Sequence, residues 1–327
     1  MQMLSQQHQV MPILPTEYSP EALASCHMQE QSLLFSVVPR ELRSEIFRLA
    51  CAPYDDAEQP YRYTDYFYRP GHHAKIKSCT SMLYTCRRAW IEASHLPLQL
   101  AEPTFWMRSE DRQPKWTRNR LPTAHDNGLR DEQRFLDFMH GLTARNRSNL
   151  KRVHIFAQMY WLEQDMWTSI VFDGSKKDYR NFDWPPEVKI TIRHTDWWFW
   201  ERGRDLSMKD DFIGRLLGRP AFQGSKIFVL DLETLRSSQK KVDQLKAIIK
   251  RIKRDQNSIG HWAIEDNSGL EIMHWTRPGN IDGAPVSAHN HLSQLDYCVY
   301  RIRWRNTQPN REGDMARQTV DVAESHL

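Results

Sequence analysis

Along the chain, apolar positions recur at helical spacing in some stretches and alternate with polar ones in others, and the switches between the two periods lay out the elements. In SVVPRELRSEIFRLACAP, residues 36–53, Leu42, Ile46 and Leu49 form one stripe of a short helix. Pro39 suits its first turn, where a missing N–H costs nothing, and Glu41 sits where the helix dipole favours an acid. The stripe is expected to face the interior, which leaves Val38, Pro39 and Phe47 for the outside. An aromatic tract punctuated by Pro53, Pro60 and Pro70-Gly71 follows, with YRYTDYFYR as a short strand. TSMLYTCRRAWIEASHLPL, residues 80–98, predicts a second helix with Leu83, Cys86, Trp90 and Ala93 on one side, Arg88 and Glu92 opposite, and Pro97 as its stop. LQLAEPTFWMR reads as a strand interrupted at Pro103.

Residues 109–128 are polar and carry Pro114, Pro122 and Gly128, which marks an internal boundary. Beyond it, DEQRFLDFMHGLTARNR has helical spacing at Phe135, Phe138, Met139 and Leu142, and KRVHIFAQ follows as a strand. EVKITIRH alternates Val188, Ile190 and Ile192 with Lys189, Thr191 and Arg193, as a half-solvated strand does. KIFVLDL is an unbroken apolar run, which fits a strand covered on both faces, and KDDFIGRLLG and SSQKKVDQLKAIIKRIKRD flank it as helices. HWAIED, GLEIMHW and YCVYRIRW complete a sheet, and no repeat of fixed period is visible. The expected fold is α+β: an N-terminal helical unit packed on a mixed sheet, with helices alternating with strands. The expected layout is a disordered leader (1–31), a helical and strand unit (32–108), a linker or loop (109–128), an α/β region with the mixed sheet (129–305) and a disordered tail (306–327).

Composition adds boundaries to this picture. Hydrophobic residues at 40% and charged ones at 26% suit a globular protein, and a net charge of +4 is too weak to point to nucleic acid. There is no signal-like start and no apolar run of bilayer length, so an intracellular protein, cytoplasmic or nuclear, without a membrane partner is expected. Five scattered cysteines without a C-x-x-C pair read as reduced thiols. His72-His73 and His289-x-His291 lack a companion carboxylate set, so no metal is expected. GRPAFQGSK misses the phosphate-loop pattern because Ser225 separates Gly224 from Lys226 and the segment runs from helix to strand. No local catalytic motif occurs, so neither an enzyme nor a cofactor is expected.

VPRELRSEIFRLA, residues 38–50, resembles the first helix of an F-box, and MLYTCRRAWIEASHLPL resembles that unit's closing helix. With LQLAEPTFW beyond them, the order is similar to a large family of uncharacterised fungal F-box-like proteins. The resemblance implies a non-catalytic, target-recruiting subunit of a cullin-type ubiquitin ligase. It would bind the small adaptor subunit through Val38, Pro39, Leu42, Ile46 and Phe47, with an unknown protein target held by the C-terminal region. Two other readings stand beside it. One is a structural domain without adaptor docking. The other is a nucleic-acid-binding module on the basic helix 237–254, using Lys246, Lys250, Lys253 and Arg254. In DWWFW, read as a strand, Trp197, Trp198 and Trp200 are either core or an exposed recognition patch.

Overall fold

The computed structural model describes residues 26–61, 67–107, 131–163, 184–218, 222, 224–255, 260–265, 271–278 and 294–307. The fold is α+β with a mixed sheet. The chain divides into two compact units, Met1–Ala52 with Ser78–Pro97 and Pro53–Lys77 with Leu98–Leu327. The expected boundary at 109–128 lies outside the described residues, and YRYTDYFYR is described only at its ends. The 32–108 span expected to be one unit is shared between the two, because the tract between the F-box-like helices belongs with the sheet. Among the described residues no helix is long and apolar enough to cross a membrane.

The first unit holds α1 (Leu33–Ser36), α2 (Arg40–Ala50), a 3-10 turn at Ser81–Tyr84 and α3 (Arg87–Ala93). Pro39 caps α2 with extended backbone, Glu41 lies in its first turn and Arg48 in its last, so both charges suit the helix dipole. The second predicted helix is broken. Cys86 is extended and caps α3, its Sγ accepting the Ala89 N–H at 3.4 Å, so it does not lie in the middle of an apolar helix face. Pro97 falls in the first turn of α4 (Leu96–Leu100), where its absent N–H is harmless, so it helps to start a helix instead of stopping one.

In the second unit β1 (Pro53–Pro60) and β2 (Ala74–Ser78) pair as a two-stranded sheet. The main sheet is built from β3 (Thr104–Met107), β4 (Arg152–Ala157), β5 (Glu187–Ile192), β6 (Ile227–Leu235), β7 (Trp262–Ile264), β8 (Glu271–Pro278) and β9 (Gln294–Asn306). Its order is β3-β4-β5-β6-β9-β7, with β8 also paired to β9. The strands β3 to β6 are mutually parallel, and β9 runs antiparallel to β6, β7 and β8. Strands in sequential order and parallel require crossovers, which the helices supply. These are α5 (Asp131–Gly141), α6 (Ala144–Asn149), α7 (Met159–Glu163), α8 (Phe212–Leu217) and α9 (Gln239–Arg254).

Registry gives the sheet two chemically different faces. One carries Val153, Ile155, Val188, Ile190, Ile192, Phe228, Leu230, Leu232, Ile302 and Trp304, all in one core with Phe135, Met139, Phe212, Leu216, Leu245 and Ile249 of the helices. The other face carries His154, Lys189, Thr191, Asp231, Glu233, Arg301, Trp275 and Tyr297. Alternation in β5 predicts that this second face is solvated, yet Thr191 and Arg193 are buried. Their polar atoms are satisfied inside: Thr191 Oγ1 lies 2.8 Å from His154 Nε2, and the Arg193 guanidinium meets Asp196 at 2.6 and 2.8 Å. Strand β6 is buried on both faces, as its apolar run predicts, but only one covering is made of helices. Against the other lie His72 and Arg69, with the His72 ring 5.2 Å and the Arg69 guanidinium 4.6 Å from the Phe156 centroid.

Candidate functional site

The helix α2 is laid down with its apolar stripe outward. Leu42, Ile46 and Leu49 are 58%, 39% and 63% exposed, while Phe47 at 1% and Arg43 at 6% form its buried face. The expected inside and outside are therefore exchanged: Phe47 is core and cannot contact a partner, Pro39 is exposed and Val38 is half-buried. The reason lies in what Arg43 finds. Its Nε and Nη2 meet the two Glu92 carboxylate oxygens at 2.8 and 3.1 Å, and Nη1 donates to the Val38 carbonyl at 2.8 Å. Arg88 Nε reaches the same carboxylate at 3.1 Å. The guanidinium groups of Arg43 and Arg88 lie 5.6 and 4.7 Å from the Phe35 ring centroid, and Phe35 touches Phe47 with ring centroids 6.4 Å apart. Burial alone would raise the Glu92 carboxyl, but the hydrogen bonds from Arg43 and Arg88 outweigh it and hold its pKa below the usual glutamate value.

Turning the stripe inward would give roughly 1.5–3 kcal/mol for each fully buried aliphatic side chain. The fold forgoes that gain and buries an arginine in its place. Leu33 at 74% and Val37 at 68% add to the exposed apolar area of this unit. Conflict between a local pattern and its placement is expected where a surface has a function other than stability.

A second candidate sits at the carboxyl ends of β5 and β6, the end of a parallel sheet where ligands bind in open α/β folds. Glu233 is its hub, 2% exposed. Arg69 Nη2 and Trp275 Nε1 donate to its Oε2 at 2.8 and 3.1 Å, and the His194 N–H donates to Oε1 at 3.1 Å. Trp197 Nε1 donates to the Glu233 carbonyl at 2.8 Å. Trp275 stacks on Tyr297 with centroids 4.4 Å apart, and the His194 ring lies edge-on to Tyr297 at 6.2 Å. Beside this hub, Asp231 takes both Arg301 Nε and Nη2, at 2.8 and 3.0 Å.

DWWFW is not a strand. It runs through the 3-10 turns His194–Asp196 and Trp200–Arg202, joined by Phe199 in the left-handed region at φ 50°. Trp197 is buried and belongs to the core, so the expected three-tryptophan patch is reduced to the half-buried Trp198 and Trp200. Trp198 Nε1 donates to Glu163 at 2.8 Å, and Trp198 and Phe199 line an open cleft of about 660 Å³ with Arg204, Asp205 and Ser207.

The basic helix α9 buries Val242, Leu245, Ile248, Ile249 and Ile252, and three of its cations meet acids of the same unit. Lys240 pairs with Asp205 at 2.6 Å, Arg251 with Asp210 at 2.9 Å and Arg254 with Asp255 at 2.9 Å. Of the four cations of the nucleic-acid reading this neutralises Arg254, while Lys246, Lys250 and Lys253 share one face of α9 at i, i+4 and i+7 and meet no acid among the described residues. Among the described residues no three His, Cys, Asp or Glu side chains converge as a metal site; His289 and His291 lie outside the described residues. All five thiols are free, and burial first, then the neighbouring Cys79 or Glu233, pushes the thiols of Cys51 and Cys298 up, away from the thiolate a nucleophile needs.

Arg43 and Glu233 escape sequence reasoning, the first because an arginine next to an apolar stripe reads as solvent-facing. The second carried a signal: two acids, Asp231 and Glu233, set among the apolar positions of IFVLDLETL. No family model, no curated protein sequence and no solved structure matches this chain.

Proposed function

We propose that this chain is a non-catalytic interaction protein that docks through Leu42, Ile46 and Leu49, with Pro39 at the head of the helix, onto the small adaptor subunit of a cullin-type ubiquitin ligase. The sheet unit then serves to recruit a protein target. One observation carries this reading: α2 presents its apolar stripe to water and keeps Arg43 and Phe47 inside. The resemblance of residues 38–50 and 82–98 to an F-box supplies the identity of the partner. A stripe of three aliphatic residues is a fitting centre for an interface of about 800 Å² per partner, where a few buried anchors carry most of the energy.

Binding of the purified adaptor to the whole chain tests it. Leu42→Asp with Ile46→Asp should weaken binding by about 1,000-fold, since each anchor is worth about 2 kcal/mol and about 1.4 kcal/mol is a factor of ten. Lys246→Gln with Lys250→Gln on α9 should leave binding unchanged, and raising the salt should change it little, as an apolar contact does not release condensed counterions. A folded wild-type chain that does not bind the adaptor removes the proposal. A steep salt dependence together with binding to nucleic acid would favour the basic-helix reading instead.

A further inference from the structure

We propose that Arg277, together with Arg69, binds a small tetrahedral oxyanion of the phosphate type at the carboxyl end of the main sheet. Among the described residues four arginines use the same edge of the guanidinium, Nε and Nη2, to grip a carboxylate with two parallel hydrogen bonds: Arg43 on Glu92, Arg48 on Glu45, Arg193 on Asp196 and Arg301 on Asp231. Arg277 is only 6% exposed, and its Nε and Nη2 have no partner among the described residues. Arg69 is 7% exposed; its Nη2 holds Glu233, and its Nη1 has no partner among the described residues.

The charge count points the same way. Arg69, Arg193 and Arg277 interact electrostatically with one another; among the described residues Glu233 and Asp196 are hydrogen-bonded to the first two, Asp231 acts on Arg69 from beside Arg301, and no carboxylate is hydrogen-bonded to Arg277. A buried charge without a hydrogen-bonded counter-charge is costly, and a bound anion is the simplest remedy. Burial lowers the pKa of the Arg277 guanidinium, the nearby Arg193 and Arg69 charges lower it further, and Tyr297 and Glu233 act against them. An Nε–Nη2 edge on one guanidinium and an Nη1 group on another offer more donors than the single bidentate pair one carboxylate accepts, and the several oxygens of a phosphate can meet them all. The position is where such a ligand is expected, since Arg193 follows the last residue of β5 and Arg277 is the penultimate residue of β8, opposite Leu295. The inference stands apart from adaptor docking and would survive its failure.

Thermal unfolding of the whole chain, titrated with inorganic phosphate at constant ionic strength, tests it. The wild type should show a saturable rise in Tm, because a ligand that binds only the folded state stabilises it by mass action. Lys250→Gln, on the outer face of α9, should show the same rise. Arg277→Gln should show none, and without phosphate Arg277→Met should be at least as stable as the wild type, since it removes an unpaired buried charge. If neither variant folds, Arg277→Lys decides, because it keeps the charge and loses the fork edge; its phosphate midpoint should move up at least tenfold. No saturable rise in the wild type, or an equal rise in the Arg277 variants, overturns the site. A rise with malonate as large as that with phosphate overturns its assignment to a tetrahedral oxyanion.

Discussion

Glu233→Gln should destabilise the sheet unit by about 3–5 kcal/mol, the range for breaking a buried ion pair from one side. The carboxylate is 2% exposed and accepts from three donors, Arg69, Trp275 and the His194 N–H. Glutamine keeps the shape but must turn its amide N–H₂ toward a donor whichever way it is placed, because both oxygens of the glutamate are already receiving hydrogen bonds. The Arg69 guanidinium, itself buried, then loses its only hydrogen-bonded counter-charge in the described structure. Urea unfolding followed by tryptophan fluorescence reads the effect directly. The double variant Glu233→Gln with Arg69→Met should recover part of the loss, as removing both partners is far cheaper than removing one. A loss under about 1 kcal/mol for the single variant would show that the hub contributes little.

How much of this was legible in the sequence depends on whether an element's partners lie nearby. Helix α9 and strand β6 were readable because their apolar positions meet the core of their own unit, and the pattern and its use coincide. For α2 the period identified which residues share a face but not which way that face turns. The direction was decided by Glu92 and Phe35 closing around Arg43, and no window centred on the helix contains that information. The alternation in β5 misled in a related way. Lys189, Thr191 and Arg193 are polar because their partners are Asp231, His154 and Asp196 respectively, not because water covers them. DWWFW carries no period at all, and the different partners of Trp197 and Trp198, with the left-handed Phe199 after them, are set by tertiary contacts. Within the polar end of the sheet, only the acids of β6 stood out from their surroundings.

Acidification should remove stability from the sheet unit well above the range in which carboxylates titrate. Burial, then the charges of Lys189 and His72, hold the His154 ring well below its ordinary value. Burial, with Lys241 behind it, lowers His194 to about 3, and burial with the charges of Arg69 and Lys189 lowers the half-buried His72 to about 4. His194 and His72 are therefore neutral in the folded protein at pH 5, and His154 is shifted in the same direction, whereas in the unfolded chain a histidine takes up its proton near pH 6.5. In that window the unfolded state binds more protons, so the free energy of unfolding falls as the pH falls. Once below about pH 6 the slope approaches about 1.4 kcal/mol per pH unit for each histidine, with His154 and His194 as the main contributors because they are the most buried. The depressed carboxylates act lower down: Asp231 and Glu92, paired with arginine, contribute stability that is lost only as the pH drops through and below the ordinary carboxylate range. Urea midpoints measured at pH 7, 6 and 5 should therefore decline, over a range in which most carboxylates stay ionised. His194→Gln should flatten that decline if the variant folds, since it removes a ring that the unfolded chain protonates and the folded one does not. A midpoint that stays constant from pH 7 to pH 5 would mean that these rings take up protons in the folded state as well, which the Glu102 carboxylate, 3.2 Å from His154 Nδ1, would favour at that ring.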